Sequence, residues 1–127
     1  MDATTLFRLG LGLTLLAAAA VGVATLTPQE AMPEVPGSDK AYHFAGFAAV
    51  VFPAVAARPR VALWLVPLAI GYGGLIELIQ PHVGRHGEWG DVLANAIGAI
   101  IGAATGWLAH RWLVAPILLR WRRARRS

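Results

Sequence analysis

The chain has 127 residues, 57% of them hydrophobic, no cysteine, and a formal net charge of +4. Its mean hydropathy of +0.57 excludes an ordinary water-soluble domain of this length. The lack of cysteine excludes structural disulfides, thiolate nucleophiles and cysteine-held metals.

Four apolar stretches divide the chain, at about 6–26, 41–57, 61–79 and 92–114. At roughly 1.5 Å per residue each can cross, or nearly cross, a hydrocarbon layer of about 30 Å, the second standing at the short limit of about 17 residues. Hydrocarbon offers no partner for backbone N–H and C=O groups, so such spans are helical. The expectation is an all-α membrane protein: one four-helix bundle domain over 1–127, with a basic tail at 115–127.

In chain order, the first span is alanine-rich, with Arg8 near its start. Gly22, Val23 and Ala24 offer small residues for cleavage, so a signal peptide is its alternative reading. The connection at 27–38 holds Pro28, Pro33, Pro36 and Gly37 and is expected to be exposed and irregular. After the second span a tight turn at 57–60 carries Arg58 and Arg60. After the third, Pro81, Gly84, Gly87 and Gly90 break the loop at 80–90, and Trp89 suits the membrane interface.

The charges set an orientation. Arg8, Arg58, Arg60, Arg111, Arg120, Arg122, Arg123, Arg125 and Arg126 fall on one side. The other side holds Lys40 and Arg85 with Glu30, Glu34, Asp39, Glu88 and Asp91. The positive-inside rule then puts both termini in the cytoplasm and the loops at 27–38 and 80–90 outside. The pI of about 10.7 comes largely from the arginine tail, which suits anionic lipid headgroups, with Trp112 and Trp121 as anchors, rather than nucleic acid.

The chemistry-bearing residues gather at the outer ends of the last three spans. Asp39, His43 and Gly46 follow an i, i+4, i+7 spacing on one helix face. Gly73 and Glu77 are four apart, with Gly74 adjacent, and Asp91, Asn95, Gly98, Gly102 and Gly106 form one stripe. A charge at the bilayer centre costs roughly 2.5–3.5 kcal/mol on insertion scales. The favourable arrangement packs the small faces together and lets Asp39, His43, Glu77, Arg85, Asp91 and Asn95 meet near the outer interface in a polar pocket.

The series Asp39-Lys40-x-x-His43-Phe44, Glu77-x-x-Gln80, Arg85 and Asp91-Val92-x-x-Asn95-x-x-Gly98-x-x-x-Gly102 resembles the VanZ-like family of small bacterial membrane proteins, over about 37–107. The resemblance implies a four-span bundle in the cell membrane and, through the family's founding member, a link to low-level teicoplanin resistance. It implies no established reaction. The residues that it carries over are Asp39, Lys40, His43, Glu77, Gln80, Arg85, Asp91, Asn95 and Gly98. The run His86-Gly87-Glu88-Trp89-Gly90 after Gly84-Arg85 departs from the family's more neutral stretch.

Each position also has a purely structural role open to it. Ser38, Asp39 and Asp91 suit helix N-caps, and Lys40 can snorkel to the interface. Asn95 and Gln80 suit interhelical hydrogen bonds. Arg85 suits either a phosphate or carboxylate ligand or an ion pair with Glu77 or Asp91. His43 suits proton transfer or a cross-helix hydrogen bond.

His43, His82, His86, Glu77 and Asp91 offer metal ligands, but His82 and His86 lie in the broken loop without a shared face, so neither a metal nor another cofactor is expected. The leading expectation is an outward pocket for an amphiphilic or anionic envelope ligand: a lipid, a lipid-linked precursor or a glycopeptide. The alternative is a membrane enzyme acting on a lipid-linked phosphate or glycan, with His43 and Glu77 or Asp91 as acid and base. An ion pathway is disfavoured, because the inner halves of the spans hold almost no ionisable residue.

Overall fold

A computed structural model describes residues 1–33 and 36–124. Its helices are α1 (Ala3–Leu26), α2 (Asp39–Ala57), α3 (Ala62–Ile79), α4 (Trp89–Ala109) and α5 (Ala115–Ala124). No strand occurs among the described residues. Four helical segments are long and apolar enough to cross a membrane: Ala3–Leu26, Asp39–Ala57, Pro59–Val83 and Trp89–Ala124. Glu34, Arg125 and Arg126, counted in the charge bias, lie outside the described residues.

The helix starts have local causes. The Asp2 carboxylate accepts the Thr5 N–H at 2.7 Å, starting α1 three residues before the predicted span. Ser38 Oγ accepts the Ala41 N–H at 3.2 Å and caps α2. The capping expected of Asp91 does not occur: α4 begins at Trp89, with Glu88 at the cap position, so Asp91 falls inside the first turn.

The fourth span also runs further than expected. A π turn at His110–Val114 joins α4 to α5, closed by a bond from the Ala115 N–H to the His110 carbonyl. Pro116 has no N–H to give and its ring crowds the preceding turn, which favours such a widened turn. The basic tail is thus helical as far as Ala124. Arg111 stacks between Trp107 and Trp112, 5.5 and 5.9 Å from their ring centroids.

The tightest helix pair is α2 with α4. A Cβ on Gly98 would collide with the Phe44 carbonyl oxygen, one on Gly102 would lie 2.5 Å from that of Ala48, and one on Gly106 would lie 2.9 Å from that of Phe52. Glycines four apart thus meet carbonyls four apart, and the ascending register on both helices makes them parallel. The expected small-residue stripe is present. Lipid gives no hydrophobic drive between helices, so this backbone proximity supplies the packing attraction that joins them.

The remaining helices close around this pair. Gly10 of α1 approaches the Pro53 carbonyl of α2, where an added Cβ would lie 2.7 Å away. Tyr72 of α3 donates to the Ala18 carbonyl of α1 at 2.7 Å. The first span therefore packs as a member of the bundle. Phe47, Val51, Val55, Leu65, Ile76 and Ala99 fill the apolar interior, and all the buried polar residues but Thr14 of α1 gather at the N-terminal ends of α2 and α4 and the C-terminal end of α3.

Candidate functional site

His43 is the hub, with its side chain 1% exposed. Its Nδ1 lies 2.9 Å from Asn95 Oδ1 on α4 and 3.7 Å from Glu77 Oε1 on α3. Both neighbours are oxygen atoms. Its Nε2 faces Asp39 Oδ2 at 3.8 Å and Asp91 Oδ2 at 4.0 Å, and makes no hydrogen bond. One imidazole thus joins three helices.

The parallel register brings this about. Gly98 lets α4 lie against Phe44, so Asn95 and Asp91, one and two turns earlier on α4, come level with His43 and Asp39 on α2. On α3, Gly73 makes room for Asn95, whose Nδ2 would lie 2.9 Å from an added Cβ. Glu77, one turn further along α3, then reaches the same level.

Two cations close the rim. Lys40 Nζ lies 2.7 Å from Glu88 Oε2 and 3.8 Å from Asp91 Oδ1. The hydrogen bond from the Lys40 ammonium holds the exposed Glu88 carboxyl below the usual carboxylate range. Arg85 Nη2 lies 3.7 Å from Asp39 Oδ1, and its Nη1 donates to the Thr27 carbonyl at 3.4 Å. The ion pair considered for Arg85 with Glu77 or Asp91 is therefore corrected. The left-handed turn at Gly84 (φ 74°) sends the loop back toward α1 and the start of α2, where Asp39 meets it.

Glu77 has a different neighbourhood from the one its charge suggested. Its Oε2 accepts the backbone N–H of Glu88 at 3.1 Å, while Oε1 has no hydrogen-bond partner. Gln80 is buried and donates to the Thr25 carbonyl of α1 at 3.1 Å, and its own carbonyl accepts the Arg85 N–H at 3.0 Å. It ties the loop to the bundle without joining the His43 cluster. Asp39, Lys40, His43, Glu77, Arg85, Asp91 and Asn95 do come together.

Two contributors were missed from the sequence. Glu88 both pairs with Lys40 and caps Glu77 through its backbone, and the signal for it was Lys40, a cation needing an acidic neighbour at this level. Gly87 lies so close to α3 that a Cβ would sit 2.6 Å from the Glu77 carbonyl oxygen. This permits the loop to cross above Glu77.

Beside the cluster, between α3 and the start of α4, runs an open groove of about 650 Å³. Gly71, Gly74, Leu75 and Leu78 line one wall and Trp89 and Val92 the other, and Glu77 is among the bordering residues. A Cβ on Gly71 or Gly74 would meet nothing within 4 Å. Unlike Gly73, these glycines open space instead of seating a helix.

Asp39, His43 and Asp91 each present a ligand atom within 4.8 Å of the others, a set able to hold a metal ion. His82 and His86 are exposed and stand outside this set. Comparison with known protein families, characterised proteins and solved structures finds no match.

Proposed function

We propose that this chain is a VanZ-like protein of the bacterial cell membrane that binds an amphiphile at its outer face. One observation carries the reading: the apolar groove between α3 and α4 is bordered by Glu77, whose side chain belongs to the buried ionisable cluster beside it. A polar cluster in a membrane span is costly to keep and commonly marks a site of function. A groove of this size suits an acyl or prenyl chain, with the headgroup at the rim formed by Lys40, Glu88 and Arg85.

The charge bias supports an orientation with both termini cytoplasmic and the loops at 27–38 and 80–90 external. On that orientation the ligand belongs to the outer leaflet: an envelope lipid, a lipid-linked precursor or a lipid-bearing glycopeptide, which is where a role in the teicoplanin response would arise. Nothing in the cluster resembles a nucleic-acid surface.

Mass spectrometry of species retained by the purified protein tests this. Gly74→Phe fills the groove in open space and leaves the helix contacts intact. The expected result is one envelope species enriched with wild type and lost in Gly74→Phe. Equal retention by both proteins would contradict the groove as the site.

The catalytic alternative is supported by His43, which Asn95 orients while its free Nε2 faces Asp91. On that reading His43→Ala abolishes turnover of a lipid-linked substrate while retention of the amphiphile survives.

A further inference from the structure

We propose that Asp39, His43 and Asp91 bind a first-row divalent metal ion of the zinc type at the outer end of α2 and α4. This is independent of whether an amphiphile occupies the neighbouring groove, and it reverses the expectation drawn from the sequence, which considered His82 and His86 as the further ligands.

The His43 ring points to it. Nδ1 is taken up by Asn95 Oδ1 at 2.9 Å, with Glu77 Oε1 at 3.7 Å, which leaves Nε2 as the ring nitrogen open to a ligand. Nε2, almost completely buried and without a hydrogen-bond partner, is aimed between Asp39 Oδ2 at 3.8 Å and Asp91 Oδ2 at 4.0 Å. These separations are too long for hydrogen bonds to the ring. A divalent cation between Nε2 and these two carboxylate oxygens would give all three atoms a partner.

The surroundings orient the ligands for one. Arg85 Nη2 lies 3.7 Å from Asp39 Oδ1 and Lys40 Nζ lies 3.8 Å from Asp91 Oδ1, so each cation stands nearest the carboxylate oxygen that is not the one facing His43. Asn95 fixes the ring by the nitrogen that would not ligate. Such outer partners are what a histidine-carboxylate metal site requires. In their ionised forms Asp39, Glu77, Glu88 and Asp91 outnumber Lys40 and Arg85 by two, the charge of a single divalent ion.

The size fits with a small closure. Bonds of about 2.0–2.2 Å in a tetrahedral site hold ligand atoms roughly 3.3–3.5 Å apart; Nε2 stands 3.8 and 4.0 Å from the two carboxylate oxygens, and the three atoms lie within 4.8 Å of one another. Asp39, whose side chain is 59% exposed, can move toward the other two, and a small shift of His43 or Asp91 completes the set. A nitrogen with two carboxylates selects zinc or manganese over magnesium or calcium, which take all-oxygen shells. Three protein ligands would leave a fourth coordination position for water or a substrate.

The test uses the full chain in detergent, stripped by chelator and titrated with zinc chloride or manganese chloride, with bound metal counted by elemental mass spectrometry. Wild type is expected to bind a single equivalent of one of them. Asp39→Asn, on an exposed side chain, keeps the fold and weakens binding about tenfold or more, as do His43→Gln and Asp91→Asn. Glu77→Gln, on the opposite edge of the ring, retains the metal. Failure of wild type to bind either ion at micromolar concentration overturns the proposal. So does binding that Asp39→Asn leaves unchanged, which would place the ion on other histidines. If His43→Gln or Asp91→Asn does not fold, Asp39→Asn decides alone.

Discussion

Asn95 Oδ1 lies 2.9 Å from His43 Nδ1, a side-chain hydrogen bond between the parallel helices α2 and α4 at a level where both residues are almost completely buried. The bond sets the ring's orientation and so turns Nε2 toward Asp39 and Asp91. Asn95→Ala leaves His43 Nδ1 without its close partner in a buried site. Unfolding in detergent should show a loss of about 1–3 kcal/mol. An unchanged transition would mean that the ring is held by packing alone.

The glycine stripe predicts a sharper loss. Overpacking typically costs about 1–3 kcal/mol where side chains can yield, but Gly98 and Gly102 face backbone carbonyls, which cannot rotate away. Gly98→Leu should therefore reach or exceed the upper end of that range. Gly12→Leu and Gly71→Leu, where an added Cβ meets nothing within 4 Å, should leave thermal stability in detergent nearly unchanged. Equal effects at all these positions would contradict the α2–α4 register.

Arg85 should couple to Asp39 and not to Glu77. Asp39 is well exposed, so a double-mutant cycle of Arg85→Ala with Asp39→Asn should return only about 0.2–1 kcal/mol. The cycle of Arg85→Ala with Glu77→Gln should be additive within about 0.5 kcal/mol. A larger coupling to Glu77 would show that the loop after Gly84 takes a different course.

Orientation is checked by reporter fusions. Fusions after Arg60 and after Trp121 should report the cytoplasm, and fusions near Pro33 and Gly87 the exterior. An external C-terminal fusion would move the cluster to the inner leaflet and change the class of ligand.

What the sequence made legible is what local chemistry determines. Span length and apolar content placed four helices, and the four-residue repeat of Gly98, Gly102 and Gly106 identified the helix face that packs closest. Even the meeting of Asp39, His43, Glu77 and Asn95 followed from the cost of charge in lipid. Asp91 was harder, because its role turns on where α4 starts: at Val92 it would be a cap, whereas starting at Trp89 buries it.

The partner of Arg85 depends on the path of a glycine-broken loop, which no helical spacing encodes. Gly73 and Gly74 are adjacent in sequence, yet one seats Asn95 and the other opens the groove. That difference arises only when α4 is in place. The helical tail was hidden similarly, since the sequence showed it only as a basic run, whereas a π turn at His110–Val114 carries the helix past Pro116.

The most direct test of the amphiphile site is photocrosslinking from within the groove. A photoreactive residue at Leu75, which lines the groove, is compared in membranes with one at Leu63, an 84% exposed position near the opposite end of α3. The account predicts a single amphiphile enriched in the Leu75 adduct over the Leu63 adduct, and lost when Gly74→Phe is added. Identical adducts from both positions, matching the bulk lipid, would contradict it.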